Sequence, residues 1–362
     1  MGKKICLAFN HLQYSDGVAR AALSIANRLA EEKDCDVTLR PIFIFDPDIK
    51  KMISSKVKIK PLFGFWIRGM VTLFWKLPGR LIHALVFGTK HEYDIEVGFQ
   101  HGPSTVAAVS NHDDSTLHYV WIHTYDDTLL MKKQYLMADK VICVSKGASI
   151  KLKKDLPDIK DYDYCYNPID ENVVIEKGKE EIVYPIENKG LKFITVGRLS
   201  EEKGYFRLIT IFTRLKKEGY DFSLVIIGDG PERERLMKHV EELSMGDRII
   251  FLLEQKNPFK YVSKSDVFVC SSFSEGYSTV CTEASILNVP VITTEVGGGE
   301  EIIDSAGCGV LCDLSDEGLY NALKGVLDHP QCVAEWKETL LETKKNFFSE
   351  ERVKRLYNIF GI

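Results

Sequence analysis

The sequence predicts an α/β protein of two Rossmann-like domains, each built on a doubly wound parallel sheet. Three observations carry this. The chain has 362 residues, beyond the roughly 250–300 at which a single core stops growing. Short apolar runs alternate with amphipathic helical stretches, the pattern of a parallel sheet covered on both faces. The alternation halts over 171–190, a charged, non-periodic stretch containing Pro185, and then restarts. The expected division is 1–170, then 171–346 opening with that linker, and a last helix over 347–362 that crosses back to the first domain. The two domains are expected to face a central cleft.

The first half begins with an apolar strand over 4–9, a polar loop, and Gly17. From Val18 the period becomes helical, with Ala22, Ile25, Ala26 and Leu29 on one face. Strand, glycine loop and helix present free backbone N–H groups at a helix start; a simple structural turn has the same letters. Strands are predicted over 37–45, 94–99, 118–123 and 140–144, with helices over 103–110, 127–138 and 146–156 between them. His123 closes the Trp121-Ile122-His123 run at a strand's C-terminal end, where it serves as a ligand contact or as a structural histidine.

Residues 62–87 stand apart. Trp66, Trp75, Phe74, Leu73 and Leu81 alternate with Arg68, Lys76, Arg80 and His83, and Pro78-Gly79 breaks the run. Basic and aromatic residues at helical spacing suit an interfacial helix on an anionic membrane. An ordinary helix pair covering the sheet reads the same way.

In the second half, strands are predicted over 191–196, 222–227, 248–253, 267–270 and 291–294. Helices are predicted over 205–217, 232–243, 258–263 and 279–287, and after Gly299. Three closing helices, over 319–327, 333–345 and 350–360, have no strand left to serve.

Composition narrows the function. With 47 Lys+Arg against 52 Asp+Glu, the net charge is −5, which argues against nucleic acid as the main partner. The nine cysteines lie in apolar runs without a CxxC pair, as buried thiols of a reducing compartment do. The opening MGKKICLAF reads as a strand rather than a signal segment, and no run reaches the ~18 apolar residues of a spanning helix. The expected place is the cytoplasm, with peripheral membrane contact at the inner face through 62–87.

The chemistry gathers at strand exits. Residues 272–283, SFSEGYSTVCTE, put Glu275 and Gly276 on a loop and Glu283 on the helix that follows. Gly197-Arg198-Leu199-Ser200-Glu201-Glu202-Lys203-Gly204 brings two cations to another strand exit, a setting suited to a diphosphate. Gly228-Asp229-Gly230-Pro231 allows close backbone approach, and Val296-Gly297-Gly298-Gly299-Glu300 is a third flexible turn. The GxGxxG fingerprint and the GxxxxGK[ST] loop are both absent, which sets aside dinucleotide binding and the P-loop. Glu283 lies among Val280, Ala284, Ile286 and Leu287, where a carboxylate needs a partner; a ribose diol is one. The N–H groups of Gly276, Tyr277, Ser278 and Thr279 would then point at a phosphate or a sugar hydroxyl.

These segments, with Tyr166-Asn167-Pro168-Ile169-Asp170, Trp121-Ile122-His123 and the Glu275–Glu283 spacing, resemble the retaining glycosyltransferases of family 4, which have the GT-B fold and serve bacterial surface-polysaccharide synthesis. The resemblance covers nearly the whole chain. It implies transfer of a sugar from a nucleotide-sugar, expected to be a UDP-sugar, to a glycan or lipid-linked acceptor. It further implies that Arg198 and Lys203 hold the donor diphosphate, Glu283 the ribose and Glu275 the sugar. His123 would touch the sugar's far side, and the Gly17 loop would lie near phosphate and acceptor. The first domain would bind the acceptor and the second the donor. No metal and no cofactor beyond the donor are expected, since fixed cations take the metal's part. The chain departs from the family at Asp16-Gly17-Val18-Ala19-Arg20, with one glycine where two are usual. It also departs at Leu253, where glycine is common, and at Tyr125, which delays Asp126 after the histidine. A nucleotide-sugar epimerase of the same fold and a non-catalytic sugar-nucleotide-binding subunit are the alternatives.

Overall fold

A computed structural model describes residues 2–13, 17–63, 69–111, 115–124, 131–186 and 190–362. Two compact units emerge: the chain up to Ile169 joined by Glu350–Ile362, and Asp170–Ser349. Trp66, Ile67 and Arg68 of the basic-aromatic run, Asp16, Tyr125, Asp126 and the start of the helix predicted over 127–138 lie outside the described residues.

The first unit runs β1 (Lys4–Leu12), α1 (Gly17–Glu32), β2 (Asp36–Phe45), β3 (Lys58–Ile59), α2 (Met70–Trp75), α3 (Gly79–Phe87), β4 (Ile95–Gly98) and α4 (Pro103–Val109). It continues with β5 (Leu117–Ile122), α5 (Lys132–Met137), β6 (Lys140–Cys143), α6 (Lys146–Asp155) and β7 (Tyr162–Tyr164). Its seven strands are ordered β3-β2-β1-β4-β5-β6-β7, and each pairing is parallel. Both faces are covered, so β1 reads as a near-continuous apolar run, with Ile5 to Phe9 fully buried. Helix α1 turns Ala22, Ile25, Ala26 and Leu29 inward, the face its period marks. The edge strands β3 and β7 were not expected from the sequence. They have two and three residues, too few to show a period.

The basic-aromatic run folds as the helix pair α2 and α3, broken at Pro78-Gly79. Phe74, Ile82, Val86 and Phe87 join the core of the first unit. Leu73, Trp75, Leu81 and Leu85 stay exposed, so the pair covers the sheet with one side and shows apolar surface on the other. Among the described residues no helix is long and apolar enough to cross a membrane.

The second unit opens with α7 (Glu171–Gly178), inside the stretch read as a linker. The Asp170 carboxylate starts it by accepting from the Val173 N–H at 3.1 Å. Only Val174 and Gly178 are buried, which is why no periodic signal shows. Then come β8 (Leu191–Val196), α8 (Tyr205–Lys217), β9 (Phe222–Ile227), α9 (Arg233–Glu242), β10 (Ile249–Leu252), α10 (Phe259–Val262), β11 (Val267–Cys270), α11 (Thr279–Ile286), β12 (Val291–Thr294), α12 (Gly299–Ala306) and β13 (Val310–Cys312). Helices α13 (Asp316–Asp328) and α14 (Gln331–Thr343) follow. The parallel sheet is ordered β10-β9-β8-β11-β12-β13. Strand β13 corrects the expectation that the closing helices follow no further strand, since it pairs with β12.

The final helix, α15 (Ser349–Phe360), packs on the first unit. Lys3 Nζ donates to the Phe360 carbonyl at 2.8 Å, and Arg352 Nη1 donates to the Asn167 carbonyl at 3.0 Å. Arg355 pairs with Asp163 and donates from Nε to the Tyr164 carbonyl at 2.6 Å. Val353, Leu356, Ile359 and Phe360 are buried there. All nine cysteines are free, and eight are buried.

Candidate active site

In each sheet the strand order reverses once, between β1 and β4 in the first unit and between β8 and β11 in the second. Such reversal points leave a crevice beyond the strands' C-terminal ends, where open α/β sheets bind ligands. In the second unit the loop leaving β8 carries Arg198 and Lys203, and the loop leaving β11 carries Glu275. Both loops therefore start at the reversal.

The structure joins them. Lys203 Nζ lies 2.6 Å from Glu275 Oε1, with side chains 23% and 13% exposed, shielded enough for the pair to escape most solvent screening. Ser272 Oγ donates to the same oxygen at 2.7 Å, and Cys270 Sγ approaches it at 4.0 Å. All three contacts fall on Oε1. Burial opposes the Lys203 charge, but the Glu275 carboxylate outweighs it and holds the lysine above its ordinary pKa. An ammonium has three donors, so the bond to Glu275 leaves two. Arg198 is exposed, beyond Gly197 on the same loop.

The backbone of the two loops is stitched as well. Ser271 Oγ donates to the Lys203 carbonyl at 2.8 Å, and the Phe273 N–H donates to the Glu202 carbonyl at 2.7 Å. Gly204 makes this approach possible. Its φ is +66°, and a Cβ there would stand 2.2 Å from the Ser271 carbonyl oxygen. The loop leaving β9 closes on the same edge: the Leu199 N–H donates to the Asp229 carbonyl at 2.9 Å. A Cβ on Gly228 would lie 1.9 Å from the Gly197 carbonyl oxygen, and one on Gly230 would lie 2.4 Å from that of Leu199.

Downstream of Glu275, Tyr277 packs under Gly298, whose Cβ would stand 2.5 Å from its ring. A Cβ on Gly297 would lie 2.8 Å from the Gly276 carbonyl oxygen. Ser278 is the N-cap of α11, but its side chain makes no capping bond. The helix's first turn, beginning at Thr279, thus keeps its N–H groups free of a side-chain cap. Glu283 lies one turn further on, half-buried. Arg198, Lys203, Glu275, Gly197, Gly228, Gly230, Gly276, Tyr277, Ser278, Thr279 and Glu283 accordingly belong to the strand-exit edge of one sheet and the helix it feeds.

His123 and Gly17 belong to the first unit. His123 follows β5, with its ring centroid 4.8 Å from that of Phe99. Burial pushes its pKa down to about 3, only weakly opposed by the hydrogen bond with the Phe99 backbone. The imidazole is therefore neutral at physiological pH rather than a cation. Gly17 is the exposed first residue of α1, and among the described residues nothing lies within 4 Å of where its Cβ would be. Sterics alone do not require glycine there. At the reversal point of this sheet Gln100 Oε1 accepts from the N–H groups of Asn10 and His11 at 2.8 and 3.0 Å, and Asn10 Oδ1 accepts from the Ser104 N–H at 3.0 Å. Neither Asn10 nor Gln100 was singled out in the sequence, because single amides at strand ends carry no pattern.

Arg207 was not singled out in the sequence either. It lies on α8 in line with Ile211 and Leu215, and all three are buried. An arginine in that register is the signal that could have revealed it.

Residues 176–341 match the family of glycosyl transferases group 1. An uncharacterised glycosyltransferase of Methanocaldococcus jannaschii is 33% identical over 184 residues, 51% of this chain and 43% of that protein. The N-acetylgalactosamine-N,N'-diacetylbacillosaminyl-diphospho-undecaprenol 4-alpha-N-acetylgalactosaminyltransferase of Campylobacter jejuni is 28% identical over 229 residues, 62% of this chain and 60% of that one. The matched segments thus span about half the length of these relatives. Among solved structures, the sucrose-phosphate synthase of Thermosynechococcus elongatus superposes with a TM-score of 0.78 at 19% identity, covering 99% of both chains. Anabaena HepE in complex with UDP and glucose gives 0.73 at 15% identity, again covering 99% of both. The protein is an α/β chain of two Rossmann-like parallel-sheet domains with GT-B glycosyltransferases as structural neighbours, and its residues 176–341 are similar to the glycosyl transferases of group 1.

Proposed function

We propose that the chain is a retaining glycosyltransferase of family 4. It moves a sugar from a UDP-sugar to a glycan or lipid-linked acceptor in surface-polysaccharide synthesis, at the inner face of a membrane. The observation that carries this reading is the Lys203–Glu275 pair at the reversal of the second sheet, with Arg198 on the same loop as Lys203. The Campylobacter jejuni relative's name specifies a diphospho-undecaprenol substrate, and a structural neighbour was solved with UDP and glucose.

In this reading the donor diphosphate takes the two remaining Lys203 donors and the Arg198 guanidinium, which stabilise charge as the sugar–phosphate bond breaks. The start of α11 at Ser278 and Thr279, with the backbone of Gly276 and Tyr277, faces the phosphate or the sugar. Glu275 is held through Oε1 and presents Oε2 to a sugar hydroxyl, while Glu283 accepts from the ribose diol. Gly197, Gly228 and Gly230 let backbone and nucleotide approach closely. In the first unit, neutral His123 offers a hydrogen-bonding group at the end of β5, and the Gly17 loop contributes on the acceptor side. The acceptor hydroxyl attacks the anomeric carbon from the face the phosphate leaves. The departing phosphate oxygen takes the hydroxyl's proton, so configuration is retained. Fixed cations do the neutralising, and no metal is needed.

The deciding experiment supplies a panel of nucleotide-sugars with lipid-diphosphate glycan acceptors and reads the product's anomeric configuration by proton NMR coupling. An α-linked product from an α-linked donor is expected. An inverted product, or a changed free monosaccharide formed with no acceptor present, would sink the proposal.

A further inference from the structure

Arg207 is 6% exposed, yet its contacts reach away from its own helix. Nε and Nη2 both donate to the Ser271 carbonyl, at 3.1 and 2.6 Å, and Nη2 also donates to that of Ser272 at 3.1 Å. Nη1 donates to the Leu314 carbonyl at 2.5 Å and lies 3.6 Å from Asp316 Oδ1. The guanidinium carbon stands 3.8 Å from the centroid of the Phe273 ring. Every one of these partners belongs to the loop leaving β11 or the loop leaving β13, or is the first residue of α13.

Burying an arginine is expensive unless all its donors are satisfied, and an apolar side chain beside Ile211 and Leu215 would pack at no such cost. What a guanidinium offers instead is a rigid planar fork able to fix two successive carbonyls. Ser272, one of the two residues whose carbonyls are fixed this way, also holds Glu275 through its side chain, since Ser272 Oγ donates to Glu275 Oε1. The same loop is tied to the Lys203 and Glu202 carbonyls. On its other flank Thr294 Oγ1 donates to the Ser272 carbonyl at 2.6 Å.

We propose that Arg207 is a positioning residue that sets the spacing between Lys203 and Glu275 by clamping the backbone at Ser271 and Ser272 from α8. The inference rests on the proposed sugar transfer for its kinetic consequence, but not for its structural one. Lysine at this position keeps charge and stem and loses the fork.

The test uses the full chain with Arg207→Lys, Arg207→Met and, as a control on the same helix, Arg214→Met. Arg214 is a half-exposed side chain paired with Glu317. Amide hydrogen exchange should speed up about tenfold or more over 271–278 in Arg207→Lys and stay unchanged over 222–227. Arg214→Met should leave both segments as they are. With a nucleotide-sugar as substrate, Arg207→Lys should lower kcat by about tenfold to a hundredfold while the donor KM moves less. In a Glu275→Gln background the same change should cost little more, because the two act through one arrangement. Wild-type exchange over 271–278 in Arg207→Lys, or losses that multiply with those of Glu275→Gln, would overturn the proposal. Absence of any wild-type transfer would remove the functional reading alone, and the exchange measurement would still decide the role of Arg207. Should Arg207→Met fail to fold, Arg207→Lys carries the test.

Discussion

Lys203 Nζ sits 2.6 Å from Glu275 Oε1, so the candidate site's cation and carboxylate are each other's partner before any ligand arrives. A diphosphate must share the lysine with Glu275. Glu275→Gln should release the ammonium and bind UDP several-fold more tightly, about 1 kcal/mol, while transferring sugar more slowly. Calorimetry and initial rates read the two effects separately, and weaker UDP binding would refute the shared-lysine account. Lys203→Met should cost about 3 kcal/mol in the barrier and roughly 2 kcal/mol in stability, the scale of a charged hydrogen bond.

Gly204→Ala forces a Cβ toward the Ser271 carbonyl oxygen in a left-handed conformation. The conformational part alone should destabilise by about 1–2 kcal/mol, and moving the loop should add to it. Urea midpoints will show whether the loss exceeds that of Gly246→Ala, where a Cβ meets nothing within 4 Å. Equal losses would mean that the loops can part freely.

His123 has its pKa lowered from 6.5 to about 3 by burial. Between those values the unfolded chain takes up a proton that the folded one refuses. Its contribution is therefore complete above about pH 6.5 and declines as the pH falls toward 3. His123→Asn should flatten the acid limb of the stability curve in that window, measured by denaturant midpoints across pH. The transfer rate of the wild type should show no inflection from this residue between pH 5 and 8.

Leu73, Trp75, Leu81 and Leu85 leave apolar surface on α2 and α3, with Lys76 and Arg80 alongside. Vesicles containing anionic lipid should sediment the protein, and Leu73→Glu with Trp75→Ala should abolish this. Neutral vesicles should hold it less. Equal sedimentation of wild type and variant would remove membrane contact from the reading.

Treatment with EDTA should leave the transfer rate unchanged if, as proposed, Arg198 and Lys203 supply the positive charge at the leaving phosphate. Loss of activity restored by a divalent ion would contradict that assignment.

The fold was legible where strands are buried on both faces, as in β8, β9 and β11, whose apolar runs stand out between amphipathic helices. It was illegible at β3, β7 and β13, short strands at or near the sheet edges. One side of such a strand faces little that constrains its sequence, and two or three residues cannot show alternation. Helix α7 hid for a related reason: eight residues with two buried positions look like a charged linker. At the site, Lys203 and Glu275 could be read because both sit at strand exits, but their mutual bond could not, since it joins residues 72 positions apart. Arg207 was missed because a lone arginine on a helix ordinarily marks the surface, and only its register with Ile211 and Leu215 says otherwise.

Helix α15 completes the first unit although the entire second unit precedes it in the chain. During synthesis the seven-stranded sheet must wait, with the surfaces around Tyr119, Trp121 and Tyr164 uncovered, while residues 170–349 emerge. The second unit contains all of its own sheet within one continuous stretch and can finish first. The order of maturation is then the reverse of the order of translation. A released chain ending near residue 345 would hold a nearly complete second unit and a first unit without its last helix.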